Sequence, residues 1–265
     1  MDARSVPVGL GYAAVGIGAL LMAVAVGFGL NMGWATGLWP WADGKLSYLF
    51  VGSILAAVSV AFIWLGLVGE WGALAAGAVQ AVVMTAGMAV YMWQFSARPG
   101  REGFLWYAVG LGLATLVNAG VFLWSRRFAI RDRRPMPVFL RVSYVILVVA
   151  LLLAGAALIL QAPAIFPWPL NPDSSVMFGW IFVGDAFYFL YSLLNPRWHN
   201  AQMQLLSFLA YALFLIVPFV GLLGSVKEGH LPSLGVYLAV LVYGSALAVY
   251  YLFLDARTRG WAIEE

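Results

Sequence analysis

The sequence predicts an all-α integral membrane protein, a helical bundle that crosses the bilayer about eight times. Of the 265 residues, 64% are hydrophobic and only 9% are charged, whereas a soluble domain carries roughly 25% charged residues. Apolar runs long enough to span a membrane recur along the whole chain, and the interruptions between them are short. A surface so poor in charge must be solvated by lipid. No solvated basic face is expected for nucleic acid.

Eight segments contain the roughly 20 mostly apolar residues that a spanning helix needs. These segments cover residues 8–30, 46–67, 72–95, 104–124, 142–161, 175–194, 201–223 and 233–254. Proline, glycine and charged residues separate them, as expected where helices end. The first segment is too long for the apolar part of a cleavable signal peptide. It is therefore expected to be the first spanning helix.

The distribution of Lys and Arg predicts the orientation, because cytoplasmic loops are enriched in basic residues. With eight spans and the N-terminus in the cytoplasm, ten basic residues lie in the cytoplasm and four outside. The ten include Arg4, Arg197 and an arginine-rich segment, 125–141. Both termini are therefore expected in the cytoplasm, and the bacterial plasma membrane is the expected location.

An offset of 127 residues aligns the chain with itself over eight identical pairs without gaps. The pairs are Pro40 and Pro167, Trp41 and Trp168, Ser47 and Ser174, Gly52 and Gly179, Ile54 and Ile181, Phe62 and Phe189, Leu67 and Leu194, and Trp71 and Trp198. The alignment predicts two tandem four-helix repeats, 1–124 and 142–265, joined by the cytoplasmic linker 125–141. Because four crossings are even, both repeats would have the same orientation, related by a pseudo-two-fold axis along the membrane normal.

The segment Phe166-Pro167-Trp168-Pro169-Leu170, with a degenerate copy at Leu38 to Ala42, resembles a Trp-Pro-Trp-Pro-Leu-like element. Uncharacterised bacterial multi-pass membrane proteins carry such an element at the outer end of a helix. The resemblance implies a multi-pass membrane fold and no particular activity.

Asp185 is the one acidic residue well inside a predicted span. A charge near the bilayer centre costs about 2.5–3.5 kcal/mol on insertion scales, so such residues rarely face lipid. Two interpretations remain open. Asp185 either belongs to a proton- or cation-binding site in a wet cavity, or is a protonated acid that holds helices together. The candidate polar neighbours in a binding site are Gln80, Asn118 and Tyr188, with Tyr188 on the same helix face as Asp185.

The remaining polar residues exclude several classes of protein. The chain has no cysteine and two histidines. His199 and His230 are predicted on opposite sides of the membrane, so they cannot ligate one haem, and each is interpreted as structural. Both lysines lie in loops, which excludes a retinal protein, and no P-loop or hydrolase motif occurs. No metal site and no cofactor are expected.

Two further features concern the membrane and neighbouring helices. The linker arginines Arg126, Arg127, Arg131, Arg133 and Arg134 are either candidates for binding anionic lipid or simply the cytoplasmic positive charge. The spacing of Gly29, Gly33 and Gly37 near the end of the first helix favours a close helix approach there, either within the bundle or to a partner chain.

Two functions from different classes follow. One is a small transporter-like or ligand-binding bundle that holds a small or lipophilic molecule between its halves, with Asp185 as the proton-, cation- or polar-binding anchor. The alternative is a non-catalytic subunit or scaffold that contacts other membrane subunits. An enzyme is less favoured, because no nucleophile–base pair or metal cluster appears within a span.

Overall fold

The computed structural model describes residues 7–132 and 134–259, and this part of the chain is helical without β-strands. Eight of its helices are long and apolar enough to cross a membrane, so the all-α multi-pass fold is confirmed. The helices are α1 (Val8–Gly29), α2 (Gly33–Thr36), α3 (Lys45–Val68), α4 (Leu74–Ser96), α5 (Leu105–Ser125), α6 (Val138–Ile159), α7 (Pro172–Leu194), α8 (Trp198–Gly221) and α9 (Leu231–Val249). All but the four-residue α2 correspond to the predicted spans, with ends that differ by a few residues.

Local sequence explains where several helices begin and end. Gly69 adopts a left-handed conformation, with φ of 70°, and ends α3; a residue with a Cβ would be strained there. Asn171 accepts a hydrogen bond at 3.0 Å from the backbone N–H of Asp173, and Pro172 occupies the first turn of α7. Both are favoured positions at a helix N-terminus. At the far end of the chain, Tyr250–Leu254 continues α9 as a π-helical turn.

The spanning helices form two rows of four. In one row α1 packs on α3, α3 on α8, and α8 on α9; in the other α5 packs on α4, α4 on α7, and α7 on α6. Each row therefore contains two helices from each half of the chain. When α1, α3, α4 and α5 are matched in order with α6, α7, α8 and α9, three helix contacts occur twice. The contact of α1 with α3 matches that of α6 with α7, the contact of α4 with α5 matches that of α8 with α9, and the contact of α4 with α7 matches that of α8 with α3.

Side chains connect the rows. The Tyr144 hydroxyl of α6 donates to the Ala201 carbonyl of α8 at 3.4 Å, and Ser143 of α6 bonds Tyr243 of α9 at 2.8 Å. The central helices are more buried than the outer ones: α7 is the most buried span and α5 the least. The interior between the rows is thus built around α3, α4, α7 and α8.

Small residues allow close contacts within the rows. A Cβ on Gly52 would lie 2.8 Å from the Ala25 carbonyl of α1, and one on Gly179 would lie 2.7 Å from the Gly155 carbonyl of α6. By contrast, Gly33 has open space beside it. The same Cβ on Gly52 would lie 3.2 Å from the Gly29 nitrogen, so the close approach of α1 to α3 includes Gly29 of the predicted stripe but not Gly33.

The segment between α5 and α6 is fixed to the turn between α7 and α8. The Met136 backbone N–H donates to the Pro196 carbonyl at 3.0 Å, and the Trp198 N–H donates to the Arg134 carbonyl at 2.9 Å. We call this end of the bundle, with the segments 69–73, 126–137 and 195–199, the linker end, and the other end the opposite end. Arg4 and Arg133 lie outside the described residues.

Candidate functional site

Asp185 lies in the middle of α7, where α7 approaches α4 closely. A Cβ on the preceding Gly184 would lie 3.0 Å from the Gln80 carbonyl of α4, so glycine permits this approach. The Gln80 amide Nε2 donates a hydrogen bond to Asp185 Oδ1. Asp185 keeps part of its surface accessible although its helix is the most buried span. The predicted contact between Gln80 and Asp185 is therefore present in the structure.

Three tyrosines lie close enough to the Asp185 carboxyl to interact with it electrostatically. Tyr188, one turn further along α7, is buried and interacts electrostatically with Asp185. Tyr211 of α8 and Tyr237 of α9 also interact electrostatically with it, and their hydroxyls bond each other. The carboxyl thus lies among neutral polar groups from four helices. Such groups can bond a protonated acid or, together with the carboxylate, a small cation.

Asn118 lies away from this arrangement. Its amide Nδ2 donates to the Ala114 carbonyl of its own helix at 2.8 Å. Its neighbour Thr115 bonds the Thr85 hydroxyl at 2.8 Å, which joins α5 to α4. Of the three candidate neighbours of Asp185, the structure brings Gln80 and Tyr188 to the site, while the amide of Asn118 is bonded within α5.

The linker arginines contact protein groups to different extents. The Arg131 guanidinium donates to the Val68 carbonyl, and Arg134 forms an ion pair with Asp132 at 2.7 Å and donates to the Arg257 carbonyl at 3.2 Å. The guanidinium of Arg126 lies 5.5 Å from the centre of the Phe122 ring. Arg126 and Arg127 are exposed at the bundle surface. Arg131 and Arg134 therefore attach the linker to the bundle.

A second polar cluster lies at the linker end, and sequence reasoning missed it. His199 Nδ1 is 2.6 Å from Glu70 Oε2, and His199 Nε2 is 3.3 Å from Asp132 Oδ2. The side chains of Glu70, His199 and Asp132 are only 0%, 2% and 4% exposed. We call these three residues the His199 cluster. Because both ring nitrogens face carboxylates, the geometry fits an imidazolium that donates on both sides.

Charges around the His199 cluster come from the linker. The Arg131 backbone N–H donates to Glu70 Oε2 at 3.1 Å, and its Nε lies 3.7 Å from the same oxygen. Burial would raise the pKa of Asp132, but hydrogen bonds from Arg134 and the charge of His199 outweigh burial and hold that pKa below its usual value. No group of three metal-ligating side chains in residues 7–132 and 134–259 is arranged to hold a metal ion. The His199 cluster is thus a network of hydrogen bonds and ion pairs.

The sequence carries one signal for this cluster. Glu70, Asp132 and His199 all fall in interruptions on the same predicted side of the membrane. The predicted topology places them at one end of the bundle, but only the packing of α3 against α8 and the path of the linker bring them into contact.

The two Pro-Trp loops close the opposite end. The Trp168 indole donates to Ser47 at 3.0 Å. Asp43 accepts from the Trp39 indole at 2.8 Å and from the Ser174 hydroxyl at 2.5 Å. Burial raises the pKa of Asp43, although these two hydrogen bonds oppose the shift. These contacts join the two halves of the chain and cover the bundle interior with aromatic side chains.

Comparison with known proteins gives no match: no family model, no curated protein and no solved structure is significantly similar to the chain.

Proposed function

We propose that the protein is a transporter-like membrane bundle that binds a proton or a small cation at Asp185. One observation carries the proposal: a carboxyl lies in the middle of the most buried span, and a neutral amide, Gln80, donates its hydrogen bond. An ionisable group at this depth costs about 2.5–3.5 kcal/mol on insertion scales. Residues kept at that cost commonly mark ion or proton pathways.

The position of Asp185 between the halves of the chain also supports this function. Gln80 belongs to the first half and Asp185 to the second, and α4 and α7 meet at their contact. We infer that the halves are tandem repeats of the same orientation, since three helix adjacencies occur twice. Transporters built from repeats bind their substrates where the repeats meet, near the middle of the bilayer. A small or lipophilic ligand at Asp185 would likewise touch both halves.

Further parts of the proposal concern the membrane. We infer cytoplasmic termini in a bacterial plasma membrane, supported by the ten basic residues assigned to that side against four. Anionic lipid headgroups would then bind at Arg126 and Arg127, whose side chains are exposed. Each basic residue near the surface contributes about 1 kcal/mol to such binding.

Labelling with dicyclohexylcarbodiimide tests the site, because this apolar reagent modifies protonated carboxyls in apolar surroundings. We expect mass spectrometry of the reconstituted protein to find Asp185 modified, less so as the pH rises, and protected by a cation that binds. The Asp185→Asn variant should lose the label. The control Asp173→Asn removes a carboxyl bonded to Tyr91 at 2.6 Å at the opposite end, and it should leave labelling of Asp185 unchanged. Labelling of Asp185 that is absent or independent of pH would contradict the proposal.

The alternative is a non-catalytic subunit of a larger membrane complex, and the exposure of α5 supports it. This helix is the least buried span, and Gly110 and Gly120 have open space beside them. A partner helix could approach closely at such positions. Purification in a mild detergent separates the two functions: a stoichiometric membrane partner that α5 substitutions such as Gly110→Leu release would favour the subunit.

A further inference from the structure

The first half of α8 is polar although it is buried. Asn200, Gln204 and Ser207 are all buried, and their spacing of four and three residues places them on one face of the helix. Tyr211 continues the same face at the level of Asp185. Polar groups in a membrane interior need hydrogen-bond partners. A buried polar stripe of this length therefore calls for a physical explanation.

A matching stripe on α7 faces it. Asp185, Tyr188 and Ser192 share one face of α7 because they are spaced three and four residues apart. Gln204 Nε2 donates to the Tyr188 carbonyl at 2.5 Å, and the Tyr188 hydroxyl interacts with Ser207. Since α7 and α8 are antiparallel and belong to different rows, this bond places the two stripes opposite each other across the interior between the rows. They extend from Asp185 to the linker end, a distance of about 15 Å for ten helical residues.

Several buried polar atoms along this path have no hydrogen-bond partner within the described protein. They are Ser192 Oγ, Gln204 Oε1, Asn200 Oδ1 and, in the His199 cluster, Glu70 Oε1. An unsatisfied buried polar group costs about 1–3 kcal/mol, and native proteins normally satisfy such groups with ordered water. Four such atoms between Asp185 and Glu70 therefore indicate a line of buried water.

The path from Asp185 to the opposite end is different. Phe50, Phe166 and Phe178 are at most 1% exposed and pack with ring centroids 4.8–5.7 Å apart. Trp168 packs on Phe166 with centroids 4.7 Å apart. Apolar rings offer water no hydrogen-bond partner, and a cavity lined by them stays dry. The linker side of Asp185 therefore offers water several unpartnered polar atoms, whereas among the described residues at the opposite end the corresponding atom is Trp41 Nε1, which packs against Phe95 and Phe104.

We propose that the α7–α8 polar stripe, bridged by buried water, carries protons between Asp185 and the His199 cluster, and that protons reach Asp185 from the linker end only. This inference rests on the proposed proton-binding function of Asp185. His199 fits a relay because both of its ring nitrogens face carboxylates. A neutral ring with its proton on Nδ1 takes up a proton at Nε2 from the Asp132 side and becomes the imidazolium, and Nδ1 then releases its proton to Glu70. One N–H bond forms at Nε2 and one breaks at Nδ1, so the ring is neutral again, and it returns to the Nδ1-protonated form before the next transfer.

The remaining charges at the linker end fit this role. Arg131 and Arg134 pair with Glu70 and Asp132 and fix both carboxylates on the histidine. Trp64 packs edge-on against the His199 ring, with centroids 5.6 Å apart. The proton released to Glu70 then passes along water and the stripe hydroxyls and amides to Asp185.

Radiolytic footprinting of the reconstituted wild-type protein tests the water directly, because X-rays generate hydroxyl radicals from water that lies beside a side chain. Tyr188 and Trp168 are 7% and 6% exposed, so bulk solvent reaches them equally little. We expect oxidation of Tyr188 and little of Trp168, although indole reacts at least as readily. Oxidation of Trp168 with Tyr188 protected would overturn the inference.

Hydrogen–deuterium exchange at the Asp185 carboxyl, followed by its infrared band, tests proton transfer. We expect Gln204→Leu to slow the exchange by about tenfold or more, because a buried group on the path loses a hydrogen bond and the barrier to proton transfer rises accordingly. The control Asn118→Leu removes an amide that is bonded within α5, away from the stripe and from Asp185, and it should leave the rate unchanged.

The outcomes distinguish failure of the proton path from failure of the proposed proton-binding function of Asp185. An exchanging Asp185 whose rate Gln204→Leu does not change would overturn the path and keep the proposed function. An Asp185 that never exchanges a proton would overturn both. If Gln204→Leu does not fold, the wild-type footprint decides the path by itself.

Discussion

Single side chains at the linker end add ion pairs to the backbone hydrogen bonds that attach the linker to the bundle. Asp132 binds His199 and Arg134, and Arg131 binds Glu70. Asp132 and Arg131 belong to the linker, His199 to α8 and Glu70 to the turn after α3, so one linker side chain can attach the linker to α8 or to that turn. Breaking a buried pair by removing one partner is strongly destabilising, by about 3–5 kcal/mol, because it leaves an uncompensated charge.

The pH dependence of linker attachment follows from Asp132. Because its pKa is lower in the folded protein than its usual value of about 3.9, the ionised carboxylate stabilises the attachment above that value. This stabilisation is lost as the pH falls through the lower folded pKa. Hydrogen exchange should therefore show the Met136 and Trp198 amides losing protection on acidification.

The variant Asp132→Asn is the matched control for this prediction. It keeps the size of the side chain but removes the titrating charge, so those two amides should be less protected already at neutral pH. Their protection should also respond less to acidification. Unchanged protection in the variant at neutral pH would show that Asp132 does not hold the linker.

At this scale the sequence predicted the contact between Asp185 and Gln80 but not the His199 cluster. An acidic residue inside an apolar run stands out by itself, and the amide side chains available to it are few. Glu70, Asp132 and His199 each lie in ordinary polar interruptions. Only the contacts between distant segments give them a shared role.

Helices could be predicted from the sequence more fully than their contacts could. All eight spans were predicted, because a helix that crosses lipid must be a continuous apolar run that satisfies its own backbone hydrogen bonds. Of the glycines at the predicted close approach, Gly29 lies at the contact of α1 with α3, whereas Gly33 faces open space. Glycine is abundant, with 29 in the chain, so spacing alone does not show which helix face meets a neighbour.

Glycine substitutions test the helix contacts. Gly179→Ala would place a Cβ 2.7 Å from the Gly155 carbonyl and 2.8 Å from the Ile159 nitrogen. These are backbone atoms that can move only with α6, so overpacking should destabilise the protein by about 1–3 kcal/mol. Thermal unfolding in detergent measures the loss as a lower midpoint.

Gly110→Ala is the control, since that glycine has nothing within 4 Å. Alanine is favoured over glycine within a helix by up to about 1 kcal/mol, so its unfolding midpoint should stay the same or rise. Equal losses in Gly179→Ala and Gly110→Ala would contradict the close packing of α6 on α7.

The whole molecule combines two rows of helices that mix the halves of the chain. We infer a duplication, supported by the paired adjacencies and by Gly52 and Gly179, which align at the 127-residue offset and lie at close helix contacts in both halves. The same offset matches Gln80 with Ser207 but Asp185 with Val58. Only one of the two equivalent contacts therefore has a carboxyl. The mixing of halves between rows could not be predicted, because periodicity does not show which helices meet.

Infrared difference spectroscopy of the reconstituted protein between acid and alkaline pH tests the central claim most directly. We predict a protonated-carboxyl band that disappears as the pH rises, shifts in heavy water and is absent from Asp185→Asn. A spectrum without such a band, or one that Asp185→Asn leaves unchanged, would contradict a proton-exchanging carboxyl at the centre of the bundle.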